Sequence, residues 1–236
     1  MPTDAPRTAR ARARLELTGE IKRAARQRLA ADGAPALSLR GVARDIGMVS
    51  SAVYRYFPSR EDLLTALIVE SYTSLGAVAA SAEAAVRRTD TLGRWMAVAK
   101  SVRGWALENP HEHELIFGTP VPGYRAPQDT VDPAGVIPLL LLTVLSDAGR
   151  HGSNVSWMDR SLPKIVRIDL QRLRDGAGID LSDATLNQAI VVWTLLVGTI
   201  SFELFGHLTN VITDFSAYFE NQMRNIGLDL GLSRST

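Results

Sequence analysis

Residues 37–64 read LSLRGVARDIGMVSSAVYRYFPSREDLL, and the fold turns on how this stretch is punctuated. Ser38 is an N-cap residue ahead of a two-turn pattern in which Leu39, Val42, Ala43 and Ile46 share one face. Gly47 ends that pattern, because a residue without a Cβ takes the left-handed conformation that a tight turn needs. A second short helix follows over 49–57. Val49, Val53 and Phe57 recur there at i, i+4 and i+8 and are predicted to face the core. Ser51 and Arg55 then point away, with Ala52 and Tyr54 beside them and Ser50 and Tyr56 on the flanks. Pro58 interrupts the run. Ser59, with Asp62 three residues on, caps a further helix that continues through Leu63, Leu67 and Ile68 to about Ala80.

A helix, a glycine turn and a second helix of this length make a helix-turn-helix. The outward face of the second helix is small at its tip and aromatic or cationic further back. That suits entry into a DNA groove: small residues let the backbone approach base edges, and longer polar groups reach phosphates on either wall.

Upstream, residues 14–31 carry Leu17, Ile21, Ala25 and Leu29 on one helical face, and the pattern stops at Gly33 and Pro35. Residues 1–13, with three arginines and nothing large and apolar, are expected to form a mobile basic arm. Downstream, helices are predicted at about 90–108, 110–117, 133–148, 163–175, 182–208 and 213–227, separated by linkers at 118–133 and 148–163. No period-2 strand pattern persists, so the expected class is all-α. The expected domains are a helix-turn-helix unit over 14–60, a helical bundle over 61–228 and a tail over 229–236.

The 236 residues are 46% hydrophobic, enough for a substantial core, and contain no cysteine, which excludes disulfides, thiol catalysis and cysteine-bound metals. The apolar runs at 136–145 and 189–202 fall short of the roughly 18–20 residues that span a bilayer, so no membrane contact is expected, and no signal peptide is expected either. A cytoplasmic location fits. A net charge of +1 hides an asymmetry: residues 1–60 hold twelve Lys and Arg against five Asp and Glu, while the rest hold fourteen against twenty. A basic head on an acidic body points to a polyanion at one end.

The same stretch resembles the DNA-binding core of the TetR/AcrR family of transcriptional regulators. The resemblance is carried by Ser38, Gly47, the run Tyr54, Arg55, Tyr56 and Phe57, and Arg60 at the start of the following helix. It implies that Ser50, Ser51 and Ala52 lie against bases, that Tyr54, Tyr56 and Arg60 bind phosphates, and that Arg40 reaches a base or phosphate. Ser and Ala make no bidentate base contact, so direct readout, about 1–3 kcal/mol per pair, falls to Arg40, with Arg55 a second reader. Two positions depart from the family pattern. Val49 stands where a Ser or Thr cap is usual, and Gly41 interrupts a helix at a propensity cost of about 1 kcal/mol, read as drift rather than as close approach to DNA.

The resemblance also implies a C-terminal domain that dimerises and binds a small molecule. "WALENPHEHELIFGTPVPGY" (105–124) and "WTLLVGTISFELFGH" (193–207) are similar to a subgroup common in actinobacterial regulators. Helix 182–208 is apolar on nearly every face over 186–208, and the final helix, 213–227, offers Phe215, Tyr218, Phe219, Met223 and Ile226, so two copies of each are expected to form a two-fold interface. Candidate effector-lining residues are Trp95, Met96, Ala99, Val102 and Trp105, with Phe117, Tyr124 and Trp157, beside a proline-rich loop; the effector should be largely apolar. The His-Glu-His-Glu run at 111–114 lacks zinc-hydrolase spacing and reads as a solvated helix N-terminus. No metal, cofactor or catalytic site is expected. The resulting expectation is a homodimeric, ligand-responsive repressor of a palindromic operator. The alternative is an α-helical small-molecule binding protein or enzyme without specific DNA binding.

Overall fold

A computed structural model of the chain describes residues 5–150, 162–178 and 181–234. Among them are ten α-helices and no strand, so the all-α expectation holds. In order they are α1 (Ala5–Ala36), α2 (Leu39–Asp45), α3 (Ser50–Val53), α4 (Arg60–Ala84), α5 (Thr91–Glu108), α6 (Pro110–Phe117), α7 (Val131–Arg150), α8 (Lys164–Ala177), α9 (Asp183–Leu204) and α10 (Phe215–Asp229). The helices divide into two compact units. One comprises Met1–Ser71 and Asn109–Val131, the other Tyr72–Glu108 and Asp132–Thr236. The boundary expected at residue 60 therefore falls inside α4, and the segment after α5 returns to the first unit.

The first unit is built on Ile21, Ala25 and Leu29 of α1, Leu39 and Val42 of α2, Val53 and Phe57 around α3, and Leu63, Leu64 and Leu67 of α4. Burying each large side chain contributes about 1.5–3 kcal/mol, which fixes how the short helices lie. Leu115, Val121 and Tyr124 pack on the same core, and the Tyr124 and Thr65 hydroxyls are hydrogen-bonded at 2.9 Å. That contact explains why a segment read as a linker belongs here. Lys22 and Arg26 of α1 both hold Glu70 of α4, and Arg26 also reaches Glu112 of α6 at 3.3 Å. Burial pushes the Glu70 carboxyl up, but hydrogen bonds from those two cations outweigh it and hold it below its ordinary value.

Several boundaries differ from the sequence reading. The basic arm expected over 1–13 is helical from Ala5, because its Ala- and Arg-rich sequence is a strong helix former and carries α1 past its last core contact. Gly33, at φ 75°, kinks α1 where a break was expected. The apolar runs at 136–145 and 189–202 lie within longer helices. By length and composition alone, Arg60–Ala84, Gln128–Gly149 and Asp183–Leu204 are long and apolar enough to cross a membrane.

In the second unit α5 is the central helix, with Trp95, Val98, Ala99 and Val102 fully or almost fully buried. It packs against α10 through Phe219 and Met223, and the Trp95 indole N–H donates to the Met223 carbonyl at 2.5 Å. Phe219 and Met223, two of the five α10 residues expected at a dimer interface, are thus buried inside the chain, while Phe215, Tyr218 and Ile226 are half-buried. The tail expected from 229 is docked as well: Leu230 and Leu232 are buried, and the Ser233 carbonyl accepts from the Leu92 N–H at 3.0 Å. Arg94 is wholly buried and joins three helices, donating to Glu83 of α4 at 2.5 Å and Asp147 of α7 at 2.7 Å.

Candidate nucleic-acid interface

Ser38 caps α2 by accepting from the Gly41 N–H at 3.2 Å. Gly47, at φ 66°, turns the chain, and α3 follows as a single turn. Its hydrogen bonds then tighten: the Tyr54 N–H donates to the Ser50 carbonyl at 3.1 Å, but those of Arg55 and Tyr56 reach only three residues back, to Ala52 and Val53. Arg55 and Tyr56 thus pass through the narrower i, i+3 form, and the Phe57 N–H returns to a bond four residues back, to the Val53 carbonyl at 3.1 Å. The start of α4 is closed by a reciprocal cap, in which the Ser59 N–H donates to Asp62 at 2.9 Å and the Asp62 N–H to the Ser59 hydroxyl at 3.0 Å.

Val53 and Phe57 are buried as expected, but Val49 is 71% exposed. Val49 is the residue before α3, with extended backbone at φ −70° and ψ 139°, so helical spacing does not govern where its side chain points. Ser51, Tyr54 and Arg55 are exposed, and Ser50 and Ala52 half-buried, which leaves the small tip and the aromatic and cationic rear accessible. Arg40 is exposed on α2, and among the described residues neither its side chain nor that of Arg55 has a hydrogen bond or ion pair. Arg44, one turn along from Arg40, shares this exposure and was not singled out from sequence, although the i, i+4 spacing was there to read.

Three assignments change. Arg60 does not project as a free phosphate ligand: its guanidinium donates to the Leu37 and Ala34 carbonyls, each at 2.9 Å, and bolts α4 to the end of α1. Tyr56 is half-buried against the core, with the Arg14 guanidinium 5.2 Å from its ring centre. Nothing in the motif signalled Arg14. Gly41, read as drift, is buried under Arg28, and a Cβ there would lie 2.7 Å from the guanidinium carbon. Arg28 in turn donates to Asp45 at 2.8 Å and holds that carboxyl below its ordinary value, so the acid on α2 is neutralised within the unit.

The structure divides the residues expected to line an effector pocket. Trp95, Met96, Ala99, Val102 and Trp105 are buried side chains of the second unit, packed as core, and the Trp105 indole donates to the Ser74 hydroxyl at 3.0 Å. Phe117 and Tyr124 belong to the first unit, and Trp157 lies outside the described residues. The first unit has a groove of about 320 Å³ lined by Leu29, Pro35, His111, Leu115 and Val121, among others. His113 also corrects the reading of 111–114 as solvated. It is buried beside Phe117, and burial lowers its imidazole to about 4. Among the described residues no cluster of potential metal ligands occurs.

A short exposed helix set on a glycine turn, with free cations on the helix before it, defines a helix-turn-helix regulator of transcription. Comparison with known proteins agrees. Residues 21–67 match the family described as bacterial regulatory proteins, tetR family, and residues 95–226 match the tetracyclin repressor-like C-terminal domain. The chain is 36% identical over 220 residues to the HTH-type transcriptional regulators Rv1816 of Mycobacterium tuberculosis and Mb1846 of Mycobacterium bovis, covering 90% of this chain and 91% of each relative. The crystal structure of SCO4313 superposes with a TM-score of 0.75 at 32% identity, covering 92% of this chain and 97% of that one. A tetR-family regulatory protein from Rhodococcus RHA1 shares the fold, with a TM-score of 0.61 at 16% identity and coverage of 93% and 98%. The chain belongs to the tetR family. It is a DNA-binding transcriptional regulator and not an enzyme, and its apolar helices form the helical domain of such a regulator.

Proposed function

We propose that the protein is a homodimeric repressor that leaves a palindromic operator when a small, largely apolar effector binds. Each α3 enters a major groove, with half-site centres separated by about 34–36 Å or a multiple of it. Ser50, Ser51 and Ala52 approach base edges, Tyr54 reaches phosphate, and Arg40, with Arg55, reads bases. The supporting observation is that Arg40 and Arg55 stand exposed without partners among the described residues, beside a helix whose opposite face is anchored by Val53 and Phe57. Because α4 contributes residues to both units, an effector acting on its second half displaces the helix-turn-helix. For release to be nearly complete, that effector must favour the released state about 10⁴-fold.

Footprinting on DNA flanking the gene, repeated with a panel of apolar compounds, tests the whole reading. A dimer touching about six to ten phosphates loses about 10³–10⁵ in affinity between 50 and 200 mM salt. Arg40→Ala removes the preference for the operator over scrambled duplex while non-specific binding persists. Undiminished discrimination by that variant overturns the choice of reader, and indifference of the wild-type protein to every duplex at low salt overturns the operator reading.

A further inference from the structure

We infer that the N-terminal turns of α1 are a second duplex-contacting element, which lays Arg10 and Arg14 against phosphates beside the groove that α3 enters. This rests on the operator reading above and adds to it a part of the chain that no helix-turn-helix residue represents. The matched tetR-family segment begins at residue 21, so the element lies outside it.

The geometry starts from the face of α1 that packs on the first unit. Ile21 is fully buried on that face and Leu17 half-buried, while Leu15 is 74% exposed, so core contact ends at about Leu17. The helix nevertheless runs on to Ala5, a reach of roughly 18 Å at about 1.5 Å per residue. Residues 9–16 are all exposed, so no core contact holds this part of the helix, and its chemistry is cationic. Arg14 and Arg10 precede Ile21 by seven and eleven residues, which at about 100° per residue places both within about 20° of the Ile21 direction. The core-facing stripe thus continues, beyond the core, as a stripe of arginine. Glu16 and Glu20 lie well off it.

Where the stripe leads is shown by Arg14, whose guanidinium lies over the ring of Tyr56, in the turn that continues α3. The cationic stripe is therefore continuous with the recognition surface. Arg10 and Arg14 are exposed, and among the described residues neither side chain has a carboxylate partner. The partner of matching charge at that surface is the sugar-phosphate backbone of the operator. A helical extension also loses less conformational freedom on binding than a mobile arm does.

The test is a salt titration on a duplex selected from a random-sequence pool by the wild-type protein. In Arg10→Gln/Arg14→Gln the slope of log affinity against log salt becomes shallower by about 0.9 for each phosphate contact removed, while preference for the selected duplex over a scrambled one is kept. Gln is a good helix former, so circular dichroism is unchanged. Arg10→Lys/Arg14→Lys restores the slope, and hydroxyl-radical protection flanking the α3 contacts is lost only in the Gln variant. An unchanged slope in the Gln variant overturns the inference. So does a loss of sequence preference at constant slope, which shows Arg14 acting only by positioning Tyr56. Failure of the wild-type protein to select any duplex is a different result and removes the operator reading itself.

Discussion

Arg60 separates what a motif identifies from what a side chain does. Its position opening α4 belongs to the tetR-family pattern, yet its hydrogen bonds run to the Leu37 and Ala34 carbonyls at the end of α1. Hydrogen bonds to a charged group contribute about 1.5–3 kcal/mol, so Arg60→Ala should destabilise the protein by about 2 kcal/mol in urea unfolding and leave the salt slope of duplex binding unchanged. A shallower slope would return Arg60 to the phosphate contacts. His113 gives a second residue-scale prediction. Burial lowers its imidazole from 6.5 to about 4, so the folded chain resists a proton that the unfolded chain accepts. The sign follows: the unfolded state binds more protons in this window, and stability present above pH 6.5 is lost as pH falls towards 4. The urea midpoint should decline across that range in the wild type and flatten in His113→Leu, whereas equal decline in both would assign the effect elsewhere. Neither behaviour was legible in sequence. A histidine in a charged run reads as solvated, and only the packing of α6 on α1 encloses it.

At the scale of elements, the helices were legible because their apolar residues recur at helical spacing, and the caps because Ser38, Ser59 and Asp62 sit where unsatisfied N–H groups begin. What could not be read was which faces meet. Val49 was placed on a helix that starts one residue later. Nothing in the composition of α10 shows that α5 covers Phe219 and Met223 of its apolar face and leaves Phe215, Tyr218 and Ile226 half-buried. Gly227 records that closeness, since a Cβ there would fall 2.7 Å from side-chain atoms of Leu92 and Trp95. Trp95 is rigid and held by its bond to Met223, so Gly227→Ala should cost about 1–3 kcal/mol through overpacking, against a helix-propensity gain of about 1. Greater stability in thermal unfolding would refute that packing. Arg94 makes the same point with charge. A cation in sequence suggests surface, yet this one is buried between Glu83 and Asp147 and ties α4, α5 and α7 together. Arg94→Met removes the cation and leaves two enclosed carboxylates, of which Asp147 retains Arg88 at 2.8 Å. Breaking a buried pair costs about 3–5 kcal/mol, and the remaining arginine places the expected loss near the lower figure, measurable by denaturant unfolding.

For the whole molecule, the question is what covers α9. Leu186, Ala189, Val192, Leu196 and Ile200 are buried on one side of it, as a helix packed into its own domain requires. The opposite side is also apolar: Ile190 is 43%, Leu195 41% and Phe202 51% exposed. Gly198 lies among them, with open space where its Cβ would stand. Neighbouring α8 adds exposed Ile165, Ile168 and Leu173. Exposed apolar side chains gathered on neighbouring helices mark an interaction site, and a glycine among them lets a second helix come close. The proposed two-fold interface thus centres on α9, with α8 and the half-buried Phe215, Tyr218 and Ile226 of α10 beside it. Leu195→Glu places a carboxylate at the middle of that face without touching the buried side. Paired by symmetry with its own copy, the carboxylate meets a like charge as well as losing water. The expected outcome is a folded monomer by sedimentation, with a melting temperature that no longer rises with protein concentration. Operator affinity should fall steeply, because each copy then binds one half-site alone with too little contact area, while weak binding to any duplex remains. A Leu195→Glu protein that still sediments as a dimer would move the interface off α9, and a wild-type protein that binds its operator as a monomer would remove the need for one.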